Sequence, residues 1–199
     1  MGGLIGRRQR FGVALAVATL VAGALLAGCS DDGDSPNEAP TDAATEGESG
    51  GMTIDAPSLV KDAVDRMKAG DNKAAKPLLE QALVIEPENL YALYNLGLIA
   101  QQSGDTAQAL DYYDRALEAK GDYVPALINK AILLETSDLE QSVRLYRQVL
   151  KADEKQAAAH MRLGFALLHL GDKDEAERHL TRGLELDPSM ADIKAPDYG

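Results

Sequence analysis

The sequence predicts an all-α fold, a solenoid of about four helical hairpins, and three features of the chain point to it. Small residues recur in one register: Ala75, Ala109, Ser142 and Ala176 are separated by 34, 33 and 34 residues, and Gly97, Ala131 and Gly164 by 34 and 33. Pro87 and Pro188 lie 101 residues apart and keep the same count. Within one unit the apolar residues fall three or four apart, first Leu93, Leu96, Gly97 and Ala100, then Ala109, Tyr113, Ala116 and Leu117. That spacing gives each of two helices one apolar face. Between them Gly104-Asp105 supplies a helix stop and then a capping residue, so the pair folds back on itself.

The elements ahead of the repeat read differently. Residues 1–10 carry Arg7, Arg8 and Arg10, and Phe11 to Ala27 run almost wholly apolar, with Thr19 as the conventional polar side chain. A basic start before an apolar run is the layout of an export signal. The run closes on Leu26-Ala27-Gly28-Cys29, which resembles the lipobox of bacterial lipoproteins, where small residues let a peptidase cut before a cysteine that receives diacylglycerol. The resemblance implies a signal peptide over residues 1–28, lipid on Cys29 and an extracytoplasmic, membrane-anchored body. The alternative is an uncleaved spanning helix, since the uncharged stretch approaches the roughly 17 to 20 residues a span needs. Either way the body is tethered to a membrane. The run Arg7-Arg8-Gln9-Arg10-Phe11 only faintly resembles a twin-arginine signal, so general secretion is expected. Cys29 is the single cysteine, which excludes an intramolecular disulfide.

Residues 29–55 form the next segment. From Ser30 to Asp55 there are eight acidic residues and no basic ones among many Gly, Ser, Pro and Thr. Such a stretch cannot bury enough apolar surface to offset its ordering entropy, and a disordered acidic tether is expected. As a coil it would set the folded body on the order of 30 Å from the membrane. The spacing of Asp31, Asp32 and Asp34 fits no calcium-loop pattern and lacks a downstream glutamate. Removing Arg7, Arg8 and Arg10 with the signal takes the formal charge from -12 to -15. A body so acidic repels nucleic acid and anionic headgroups, which excludes nucleic acid as a partner class.

The repeat occupies residues 56–190 in four units, 56–89, 90–123, 124–156 and 157–190. In the first, Asp62 and Arg66 stand at a helical spacing as a charge pair on one wet face, and Pro77 falls near the start of the second helix, which should therefore begin late or bend. The second unit contains Tyr94-Asn95-Leu96-Gly97 with Ala109 and Tyr113. The third is one residue short, with Thr136-Ser137-Asp138 in place of a glycine turn, and Gly121 stands before it where Pro87 and Pro188 close other units. The fourth reads Leu163-Gly164, Leu167, Gly171-Asp172, Ala176, Leu180, Gly183-Leu184 and a closing Leu186-Asp187-Pro188. The tail, residues 191–199, is too short for a full covering helix. Leu180 and Leu184 are expected to stay partly exposed, which invites end-to-end association into a homo-oligomer or the stacking of a partner.

This period, with its Leu-Gly pair, Ala-x-x-x-aromatic step and closing proline, resembles the tetratricopeptide repeat. The resemblance implies a right-handed α-solenoid whose first helices line a groove that binds proteins. Carried onto this chain, the groove-facing places are Tyr91, Tyr94, Asn95, Leu98 and Gln102 in the second unit, Ile128, Asn129 and Ile132 in the third, and Met161, Arg162, Phe165 and His169 in the fourth. Asn95 and Asn129 recur at one place and either hydrogen-bond the backbone of an extended peptide or cap and solvate. Some family members clamp a terminal carboxylate with lysine, asparagine and arginine. Here Val60, Tyr94, Pro125 and Ala158 occupy the lysine places, which argues against that mode.

The chain has no Gly-rich phosphate loop, no Gly-x-Ser-x-Gly elbow and no His-Glu-x-x-His, so no catalytic residue, metal or cofactor is expected. His160 and His169 are nine residues apart, a rotation of about 900° on one helix, which sets them on opposite faces. His179 falls on the next helix. The expected function is a non-enzymatic scaffold or adaptor that is lipid-anchored to a bacterial membrane and docks a protein of a cell-envelope complex. The alternative is a regulator that recruits and modulates a cell-wall hydrolase.

Overall fold

The structure, a computed structural model, describes residues 54–198; the apolar run, Cys29 and the acidic stretch as far as residue 53 lie outside them. Among the described residues there are eight α-helices and no strand: α1 (Ala56–Lys68), α2 (Asn72–Ile85), α3 (Leu90–Gln102), α4 (Thr106–Ala119), α5 (Val124–Leu134), α6 (Leu139–Ala152), α7 (Ala157–Leu170) and α8 (Lys173–Leu186). The helices pack as four hairpins, α1 on α2 through α7 on α8, and each second helix packs on the next first helix. The all-α solenoid expected from the repeat is the fold.

Capping explains where the helices start. Six of them begin after an Asp or Asn whose side-chain oxygen accepts the backbone N–H three residues on, at 2.8 to 3.3 Å: Asp55, Asp71, Asn89, Asp105, Asp138 and Asp172. Each such cap contributes about 1 kcal/mol by satisfying a donor the helix leaves orphaned. Three of the four hairpin turns use a left-handed glycine just before the cap, Gly70, Gly104 and Gly171 at φ +79°, +81° and +91°, where a Cβ would strain the backbone. The third hairpin lacks that glycine. There α5 stops after 11 residues, and the chain turns through Glu135 to Ser137 with Asp138 N–H donating to Leu134 O at 2.8 Å.

In the first hairpin the late start expected of α2 and the pairing of Asp62 with Arg66 are corrected, while the wet face that carries those two residues is as expected. Pro77 lies inside a continuous α2 that begins directly after its Asp71 cap, as α4, α6 and α8 begin after theirs. The hydrogen bond it removes would have gone to the carbonyl of Lys73; both residues are exposed, so water can satisfy that oxygen. On α1 the ion pairs join Asp65 to Lys61 at 3.1 Å and to Lys68 at 3.3 Å. No ion pair joins Asp62 to Arg66 among the described residues; both remain exposed.

Packing within hairpins turns on one repeated place. Leu79, Tyr113 and Tyr146 are fully buried there on α2, α4 and α6, and Leu180 takes it on α8. A Cβ at Gly97 would lie 2.5 Å from Tyr113 Cε1, and one at Gly164 2.6 Å from Leu180 Cγ. Glycine at these positions lets the paired helices close over a large side chain. Leu180 and Leu184 are half-buried, and a 3-10 helix over Pro188–Asp192 packs against α8.

Candidate functional site

The first helices α3, α5 and α7 carry the residues singled out by the repeat. On α3 an aromatic cluster forms. Tyr94 lies edge-on to Tyr123 at 5.3 Å between ring centroids and tilted against Tyr113 at 6.1 Å, while Tyr91 meets Tyr123 edge-on at 6.4 Å. Edge-to-face contacts set positive ring edges against negative faces, which holds the rings in place. Tyr91 remains 59 % exposed and so presents its ring to solvent. Burial raises the hydroxyl of Tyr94 above the ordinary phenol range, opposed by the Asn129 hydrogen bond. Burial and then Tyr94 and Tyr91 push Tyr123 up to about 12. Tyr94 and Tyr123 are therefore uncharged at neutral pH.

The two asparagines do different things despite their shared register. Asn95 Nδ2 donates to the carbonyl of Tyr91 on its own helix at 2.7 Å, whereas Asn129 Nδ2 donates to Tyr94 Oη on α3 at 3.2 Å. One braces its own helix and the other ties α5 to α3. Leu98, Ile128, Ile132 and Phe165 are half-buried, as side chains at the edge of inter-helix packing are. Met161 does not line an open surface. It is 5 % exposed, and its Cγ and Sδ would lie 2.8 Å from a Cβ at Gly183 on α8, so its bulk fills the space that glycine leaves.

Arg162 is also committed. Its Nη1 donates to both oxygens of Glu135, each at 2.9 Å, and Tyr146 Oη donates to the same carboxylate at 2.7 Å. Burial works against the Arg162 charge, but Tyr146 and Glu135 more than offset it and raise its pKa. Burial and then Glu135 raise Tyr146 well above the phenol range. Glu135 sits 5 % exposed at the end of α5 and is held by partners from α6 and α7.

The three histidines separate into a pair and a single. His160 and His179 bring their Nδ1 atoms within 2.9 Å, and His160 Nε2 lies 3.1 Å from the Glu154 carbonyl. A carbonyl only accepts, so neutral His160 carries its proton on Nε2 and its Nδ1 accepts from His179. His169 lies apart, its ring 5.1 Å from that of Tyr198. Among the described residues no group of three or more His, Cys, Asp or Glu is placed to hold a metal.

Four residues of this face were missed in the sequence. Gln101 and Glu135 stand 34 apart, and each accepts from a core tyrosine of its own hairpin, Tyr113 at 2.6 Å and Tyr146 at 2.7 Å. That register was available as a signal. Tyr123 precedes α5 and Tyr198 follows the repeat, so helical spacing could point to neither.

Two models of the tetratricopeptide repeat match the chain, over residues 61–124 and 133–195. The DnaJ protein P58IPK homolog of Arabidopsis thaliana is 31 % identical over 139 residues, which cover 66 % of this chain and 27 % of that protein. The photosystem I assembly protein Ycf3 of Acaryochloris marina is 34 % identical over 104 residues, covering 43 % of this chain and 63 % of Ycf3. The crystal structure of MamA superimposes with a TM-score of 0.62 at 20 % identity, over 69 % of this chain and 81 % of MamA. The chain thus spans under two thirds of the length of these two curated relatives, and the likeness to MamA is one of fold.

Proposed function

This chain is an all-α solenoid of tetratricopeptide repeats, and from that premise we propose that it is a non-catalytic docking scaffold, anchored outside the cytoplasmic membrane by lipid on Cys29 and serving a cell-envelope complex. The observation that carries the docking part is the aromatic cluster of Tyr91, Tyr94 and Tyr123 with its 59 % exposed Tyr91. Exposed rings on a rigid scaffold lose little side-chain entropy on binding, which suits them as anchors for a protein partner. Ycf3, an assembly protein by its name, adds support for a role in bringing proteins together. The anchoring part rests on the apolar run that ends at Cys29 and on the acidic stretch after it.

The test is a photo-crosslinking residue placed in living cells at Tyr91 or at the exposed Glu118 of α4. A protein adduct formed from position 91 and not from 118 is the expected result. Equal adducts from both positions, or one from 118 alone, would remove the first-helix face as the docking surface.

A further inference from the structure

The end of the first-helix face that carries α5 and α7 already holds a side chain from elsewhere in the chain. After the 3-10 helix the backbone leaves in an extended conformation at Ile193, φ -71° and ψ 126°. Pro196 then biases Ala195 toward extended backbone as well. This segment brings Tyr198 against the core cluster of the third and fourth hairpins and sets its ring beside His169 at 5.1 Å. Tyr198 lies close enough to Glu135 and Arg162 for both to act on it, the carboxylate raising its pKa and the guanidinium lowering it, with burial the largest cause of its rise. Its hydroxyl is buried without a hydrogen-bond partner, whereas the core tyrosines Tyr113 and Tyr146 both donate. The seat accepts the ring and leaves the hydroxyl unsatisfied, which weakens the segment's hold.

We propose that residues 193–198 are an internal, displaceable occupant of this half of the face, and that they stand in for an extended protein segment presenting one aromatic side chain beside the Arg162–Glu135 pair. The other half, around Tyr91, supplies its own rings and stays open. A partner therefore meets one open aromatic patch and one seat that it must vacate. An aromatic without a hydroxyl fills that seat better than Tyr198 does. This inference rests on reading the first-helix face as the docking surface.

The probe is a fluorescein-labelled peptide of residues 188–198, titrated by fluorescence anisotropy against the full chain and its Tyr198→Ala and Tyr198→Phe variants, with circular dichroism confirming that each keeps its helices. A tethered segment competes at an effective concentration of order millimolar. The Tyr198→Ala chain is therefore expected to bind the probe about tenfold tighter than the unsubstituted chain, and the Tyr198→Phe chain more weakly than either. A probe with alanine in place of its tyrosine should bind none of them. Equal affinity for all three chains, or no binding by a helical Tyr198→Ala chain, overturns the proposal. Those results leave the docking reading standing, because that reading fails separately if position 91 yields no selective adduct.

Discussion

Arg162 on α7 grips both oxygens of Glu135 at 2.9 Å and so ties the third hairpin to the fourth, at the place where the glycine turn is missing. Arg162→Met would leave Glu135 buried without its cation. A fully buried pair loses about 3 to 5 kcal/mol when one partner goes. The Arg162 side chain is 35 % exposed, which lowers the expected loss to about 2 to 3 kcal/mol. Adding Glu135→Gln should recover part of it. Urea denaturation of the single and double variants checks this, and a single variant as stable as the parent would contradict the pairing.

The close approaches at Gly97 and Gly164 are not equivalent. A Cβ at Gly97 meets the ring of Tyr113, which is fully buried and fixed by its bond to Gln101, whereas one at Gly164 meets the half-buried Leu180 and also the backbone carbonyl of Ala176 at 3.1 Å. Gly97→Ala and Gly164→Ala should each cost about 1 to 3 kcal/mol by overpacking, even though alanine favours helix. Thermal unfolding checks this, and a variant that melts at or above the parent's temperature would contradict the close approach at that position.

The repeat made most of this fold legible because one register governs turns, close approaches and core side chains together. Aspartate caps and glycine turns recur with it, so hairpin positions could be read from spacing alone. The pattern could not show how polar side chains divide their bonds. Asn95 and Asn129 share a register, yet one serves its own helix and the other a neighbour, because only Asn129 has Tyr94 within reach. Met161 read as surface because periodicity does not record that Gly183 opens space for it on α8. The meeting of His160 and His179 was likewise invisible, since it depends on how two helices are rotated against each other.

Within that histidine pair, His179 is expected to make stability depend on pH. Burial lowers the His179 pKa from 6.5, followed by His160 and Arg147, with Glu175 opposing. A histidine depressed on folding takes up protons more readily unfolded, so stability is full above about 6.5 and falls as pH drops toward the lower folded value. Denaturation midpoints at several pH values should slope downward below 6.5, and His179→Gln should flatten that slope. An unchanged slope in the variant would place its origin elsewhere.

The proposed membrane anchor has a direct chemical readout. Mass spectrometry of the membrane-bound protein should find an amino terminus at Cys29 carrying acyl chains. Each buried methylene contributes roughly 0.8 kcal/mol, so two or more such chains would hold the protein nearly permanently. An unmodified terminus at Met1 would remove the anchor.

Tyr91 offers the most direct measurement of the proposed docking role, because it is the most exposed ring of the cluster and its loss should leave the fold intact. Once crosslinking has identified the partner, its affinity for the Tyr91→Ala chain can be set against that for the parent by calorimetry. An aromatic anchor of this kind carries about 2 kcal/mol or more, so affinity should fall at least about tenfold while helix content and melting temperature hold. Unchanged affinity in a protein that melts like the parent would contradict docking through this face.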